Sequence, residues 1–312
     1  MRAIFWKEMA DHFGRRRFIF LLTLVIIGFF WGWFVAAREI EGGARSTDEF
    51  IFLQLFTNGS GVLPPLLFFV SFFGPLVGII LGFDAINSER TQGTLSRILA
   101  QPVFRDAVFN GKFLAGLTTL AIIIVSLVLA VVGLAMFLLG LAPKGEEVLR
   151  LFGFTVLAIT YISLWLALAM TCSIIFRNTV TSALVAVGFW LFTTFFLALL
   201  IAPALADVIV GEVETEAEAL RQFRIEQWVA RISPSTLFDE ATGILLSPLA
   251  LAGRTLGPVF ALGEGTARLL STPISATQSL RLVWPHIVAI ISMVALLVGI
   301  SYTKFMREEI RS

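Results

Sequence analysis

Asn110-Gly111-Lys112-Phe113 ends like a phosphate-binding loop, in which backbone amides and a lysine surround a nucleotide's phosphates. The pattern fails at two positions. Asp106 stands where the loop must open on glycine, and Phe113 where Ser or Thr would hold magnesium, so this chain binds no ATP by that route. His12 and His286, the only histidines, lie far apart and neither has a cysteine beside it, which speaks against a metal centre. Neither Gly-x-Ser-x-Gly nor His-Glu-x-x-His occurs, so hydrolase chemistry has no motif to rest on. Cys172 falls inside a long apolar run and reads as a small buried side chain. Polar groups concentrate instead in one stretch, DAINSERTQGTLSRILAQPVFRDAVFNGK, residues 84–112.

That stretch interrupts a chain of 312 residues that is 57% apolar and only 14% charged. A soluble domain carries about a quarter charged residues, so most of this chain is solvated by lipid. Six long runs almost free of charge can each supply the roughly 20 apolar residues that cross a bilayer as a helix. The expected architecture is an all-α membrane protein with six transmembrane helices at 18–37, 63–83, 113–141, 151–176, 179–203 and 283–303. Residues 1–17 form an interfacial helix, 84–112 a polar loop, and 204–282 a long loop on the opposite side. The cores of the spans lack Asp, Glu, Lys and Arg, which argues against coupling to protons or sodium. A net charge of +1 gives no footprint for nucleic acid.

Basic residues near short loops set orientation. With the N-terminus inside, the cytoplasmic side collects Arg2, Lys7, Arg15, Arg16, Arg17, Arg90, Arg97, Arg105, Lys112, Arg177, Lys304, Arg307 and Arg311. The short outer loops hold Arg38, Arg45, Lys144 and Arg150, so both termini are expected in the cytoplasm. Before the first span, Phe5, Met9 and Phe13 form a stripe at helical spacing, with Lys7, Glu8, Asp11 and Arg15 elsewhere, the pattern of an amphipathic helix on a membrane surface. Asn58, Gly59, Gly61, Pro64 and Pro65 break the second apolar run, which places residues 50–56 at the outer interface. Gly74 and Pro75 suggest a kink. In the long loop, Ser235 or Thr236 is a candidate helix cap, and the small-residue segment around 251–270 suits a membrane surface.

Residues 84–99 contain no proline and can form a short amphipathic helix, with Ile86, Leu95, Ile98 and Leu99 on one side and Asn87, Glu89, Arg90, Gln92 and Arg97 elsewhere; Gly93 breaks it and Pro102 closes it. A loop that merely kept two spans at the interface would need only a few residues. This one mixes both charge signs with apolar side chains, as a helix does when it docks into a groove of another protein.

At these residues the sequence resembles the type-2 ABC transporter permeases, the drug, polysaccharide and copper-enzyme-maturation exporter family. The likeness rests on GFDAINSERTQGTLSRILAQPVF, where Glu89 precedes Gly93-Thr94-Leu95 and Pro102 follows. It extends to WKEMADHFGRRRF, the six-span order and ISPSTLFDEATGILL, and so covers most of the chain. The copper-enzyme-maturation branch shares the same loop flavour, although the outer loop here is longer than that branch leads one to expect.

The resemblance implies a single permease domain over 1–312 with an elbow helix at 1–17 and a cytoplasmic coupling helix. Asn87, Glu89, Arg90, Thr91, Gly93, Thr94, Leu95 and Arg97 would seat in a cleft of a separate ABC ATPase subunit, with Arg177 and Asn178 as a second contact. It further implies no catalytic residues and no cofactor in this chain, ATP and magnesium being bound by the ATPase. The partners are that ATPase, a second copy or a related permease, and membrane lipid, in the cytoplasmic (inner) membrane of a prokaryote. The cargo has no signature. Two other classes stay open at this stage: a channel or ion-coupled carrier working alone, and a membrane scaffold that recruits a partner without transporting.

Overall fold

In hydrocarbon, backbone amides must be satisfied within their own segment, so long apolar runs fold as helices. The computed structural model describes residues 1–42, 50–57, 66–94, 104–211, 213, 215–246 and 275–307. Among these there is no strand, and six helices are long and apolar enough to cross a membrane. An N-terminal helix, Arg2–Gly14, precedes the first span, Arg16–Gly42. The second is Leu66–Gly82, and the third is Arg105–Leu134, prolonged by a π-helical turn, Ala135–Leu139. The fourth is Gly145–Ile175. The fifth runs through Thr179–Leu191, a π-helical stretch Phe192–Ile201 and Ala202–Val210, and the sixth is Ala276–Arg307. Phe109, near the start of the third span, lies edge-on to Tyr302 and 6.3 Å from the ring of Phe305, so both ends of the described chain meet at one end of the bundle.

Several helices outrun the apolar runs that announce them. The third begins at Arg105, with Asp106 accepting from Ala107 N–H in its first turn, and the fourth at Gly145, where Glu147 accepts from Phe52 N–H and Glu146 from Ala276 N–H. Arg150, grouped by charge counting with the outer loops, is buried in the second turn of the fourth span. Its Nη1 donates to Leu245 O and Ser279 Oγ, both at 2.9 Å, and its guanidinium lies over the Phe50 ring.

The fourth span is the axle: 72% of its most apolar window is buried, against 11% for the sixth. The second span packs on it through Gly74, Gly78 and Gly82. A Cβ at Gly78 would stand 2.7 Å from Ile162 O, and one at Gly82 2.7 Å from Leu166 O. This is the small-residue stripe by which membrane helices bring their backbones together. Gly74 therefore serves contact with Ile162, and Pro75 lies inside an unbroken helix.

Residues 50–56, expected at the outer interface, pack against the bundle. Helix Ile51–Thr57 buries Phe52, Leu53, Leu55 and Phe56, with Phe56 against Phe154 of the fourth span, because five of its seven side chains are large and apolar. In the long loop, Thr215 caps helix Glu216–Ala230 reciprocally with Glu218. Helix Pro234–Leu246 starts before both predicted caps, since proline suits a first helical turn. Ser235 instead shares hydrogen bonds with Tyr161 Oη and Thr194 Oγ1. Glu240 of this helix bridges Arg231 and His286. The segment expected on the membrane surface around 251–270 lies outside the described residues.

Candidate functional site

At the end of the bundle where the chain begins, four elements converge on a short helix, Asn87–Thr91, that follows the second span. A hydroxyl from the fourth span sets its start: Ser173 Oγ accepts from the N–H groups of Ile86 at 2.9 Å and Asn87 at 3.2 Å. Asn87, fully buried, donates its amide to Phe83 O, which also accepts from Ser182 Oγ of the fifth span. Arg90 reaches across to Ile174 O at 3.0 Å. Gly93, at φ +66, then turns the chain in a left-handed conformation that only glycine adopts cheaply.

The N-terminal helix enters this junction with its polar side inward. The sequence pattern of Phe5, Met9 and Phe13 suggests an apolar stripe against protein or membrane; in the structure Phe5 and Met9 are half-buried, Met9 Sδ accepting from Thr119 Oγ1 of the third span, and Phe13 is exposed. Trp6 and Phe13 are exposed, while Glu8 and His12 are its buried residues. Gly111 of the third span permits the approach, for a Cβ there would meet Ile4 Cγ2 at 3.1 Å. Lys112 is the hub. Its Nζ lies 2.7 Å from Glu8 Oε1 and 2.9 Å from Glu89 Oε1, with its side chain only 4% exposed. Lys7, on the rim, adds a second cation at 3.4 Å from Glu8 and 3.6 Å from Glu89. Arg15 at the far end of the helix donates to Asp84. One buried ammonium thus ties the N-terminal helix, the short helix and the third span together. A buried ion pair holds register by the cost of separating it more than by net stability.

The residues singled out from the sequence divide accordingly. Asn87 and Glu89 turn inward rather than outward, because their polar ends find Phe83 and Lys112 inside the junction; Arg90 is bonded to the fourth span. Thr91 and Gly93 are exposed, and Thr94 is half-buried with its hydroxyl on Glu89 O. Leu95, Arg97 and Pro102 lie outside the described residues. Arg177 and Asn178 are exposed in the tight turn after the fourth span, where Asn178 Oδ1 caps the fifth by accepting from Val180 N–H at 2.8 Å. Glu8 and Lys112 were not among the candidates. The available signal was Lys112 itself, a cation between Gly111 and the apolar run that follows. Among the described residues no cluster of metal-ligating side chains occurs.

Burial pushes the Glu8 carboxyl up, but Lys112 and its hydrogen bond outweigh that and leave it below the ordinary carboxylate range. Burial drives His12 down to about 4. A detached helix would take a proton on His12 below pH about 6.5, whereas the docked one refuses it until about 4, so docking weakens as pH falls across that window. Protonation of Glu8 adds a loss of the same sign at the acid end. The protection factor of residues 2–14, the exchange rate taken relative to the unstructured rate at the same pH, should therefore be high at pH 7.5 and about tenfold or more lower by pH 4.5. His12→Phe should shift the onset of the loss towards lower pH.

Six lipid-length helices with a charge-locked junction at one end define a polytopic helical membrane protein. The chain belongs to the ABC-2 family of transporter proteins, whose model matches residues 2–310. It is also similar to the probable ABC transporter permease protein NosY of Pseudomonas aeruginosa, 28% identical over 283 residues, with 85% of this chain and 94% of that protein covered. With this family and these helices, the chain is a membrane permease of an ABC transporter.

Proposed function

We propose that the chain is the membrane half of an ATP-driven exporter in the inner membrane of a prokaryote, with both termini cytoplasmic. It has no catalytic residues of its own. ATP and magnesium bind a separate ABC ATPase subunit, and two permease copies, or this chain and a related one, enclose the path. The ATPase docks on the exposed run from Thr91 through Thr94, on Leu95 and Arg97 beyond it, and on Arg177 and Asn178. Asn87, Glu89 and Arg90 act behind that surface, anchoring the short helix to the bundle.

The observation that carries this reading is the Lys112 junction. A push on a free loop would be lost in its own flexing. A push on Asn87–Thr91 passes through Glu89 to Lys112 and so to the third span, and through Glu8 to the N-terminal helix. The test is co-purification with an ATPase encoded beside this chain. Gln92→Glu with Arg177→Glu, both at exposed positions, is expected to reduce recovered ATPase about tenfold while the permease elutes unchanged. If every candidate ATPase fails to associate with the unaltered chain, or the double variant retains full association, the docking assignment is wrong.

A further inference from the structure

Arg16 and Arg17, which open the first span, are both exposed, and among the described residues no ion pair engages them. With Arg15 they line one side of an open cleft of about 710 Å³ between the first span, the short helix and the start of the fifth span. Asp84 is the only acidic residue of the lining and is paired with Arg15, so Arg16 and Arg17 leave the cleft positively charged. The facing wall is apolar and belongs to the fifth span. Val180 and Leu184 on it are 63% and 67% exposed, and with Val185 and Phe189 they form a continuous exposed apolar surface on that helix.

The two walls ask for different things. A soluble anion would use the arginines and gain nothing from Val180 and Leu184. A molecule with an anionic head and a hydrocarbon tail would use both, and the surrounding bilayer supplies such molecules at high local concentration. We propose that this cleft is a binding site for an acidic phospholipid, its phosphate between Arg16 and Arg17 and an acyl chain along Val180 and Leu184. The site lies beside the Arg15–Asp84 pair that fixes the end of the N-terminal helix, so a bound lipid bridges the first and fifth spans across the junction. The inference requires only that the chain spans a membrane; it stands whether or not an ATPase docks nearby.

The bland alternative is that these arginines merely sit among headgroups and bind nothing in particular. The full chain in a neutral detergent would be titrated with phosphatidylglycerol, phosphatidylcholine and inorganic phosphate, following the thermal unfolding midpoint. Phosphatidylglycerol is expected to raise the midpoint saturably, and the other two are not. Arg16→Gln with Arg17→Gln should increase the concentration for half-effect at least about tenfold. Leu184→Glu should weaken binding with both arginines intact, which covers the case where the double variant folds poorly. Arg2→Gln, exposed and outside the cleft, should leave the titration unchanged. The proposal is overturned if the rise does not saturate, if inorganic phosphate reproduces it, if Arg2→Gln weakens it as much, or if the cleft variants titrate like the unaltered chain.

Discussion

Replacing Lys112 by methionine is expected to release the N-terminal helix while the six spans stay folded. Methionine fills much of the same volume, so the effect isolates the charge. Two carboxylates then face each other in a buried place with only the rim cation Lys7 between them, and Glu89 Oε2 already lacks a hydrogen-bond partner among the described residues. Removing one partner from a buried ion pair costs about 3–5 kcal/mol, enough to undock a helix of this size. Hydrogen exchange of residues 2–14 should rise to near the unprotected rate, with residues 105–134 keeping most of their protection. In a reconstituted complex, ATP hydrolysis should lose its dependence on the permease. Glu8→Gln and Glu89→Gln added to the same background should restore docking, because no charge is then left alone. A Lys112→Met protein with native protection over residues 2–14 would mean that apolar contacts hold the junction.

The second large effect is expected at Gly78. A Cβ there stands 2.7 Å from a backbone carbonyl and 3.0 Å from a backbone nitrogen of the fourth span, and neither atom can rotate aside. Gly78→Val must force the second and fourth spans apart, and the stripe formed with Gly74 and Gly82 loses contact along its length. Overpacking a tight core costs about 1–3 kcal/mol where neighbours yield, and more where they cannot. We expect Gly78→Val to yield little or no monodisperse protein on size exclusion, and Gly78→Ala to lower the unfolding midpoint measurably. Gly133→Ala is the control, since a Cβ there meets nothing within 4 Å. Equal yields for Gly78→Val and Gly133→Ala would rule out close backbone packing at this interface.

The spans were legible because lipid imposes a simple rule: a run without charge and about 20 residues long becomes a crossing helix. Their ends were less so, since a helix continues through polar residues wherever distant partners satisfy them. Arg150 shows this: its partners, Leu245 O and Ser279 Oγ, lie 95 and 129 residues away. The N-terminal helix was recognised by its period, but its fully buried residues are the polar Glu8 and His12, with Phe5 and Met9 of the stripe half-buried. Reading amphipathicity as apolar-inward misses polar side chains that find a buried partner, as Glu8 does in Lys112. For the same reason Asn87 and Glu89 read as an outward surface although both close on the bundle. Of the second span's glycines only Gly74 stood out, with Pro75 and for bending, because the contact that Gly78 and Gly82 make needs a partner that no local spacing names.

Lys112 also orders the making of the protein. Glu8 is synthesised first, Glu89 much later, and the lysine that satisfies both arrives 104 residues after the one and 23 after the other. Until the third span is in place, the N-terminal helix has neither its ammonium nor the Gly111 surface it rests on. The helix Arg2–Gly14 thus leaves the ribosome before all six spans and is among the later elements to take its seat.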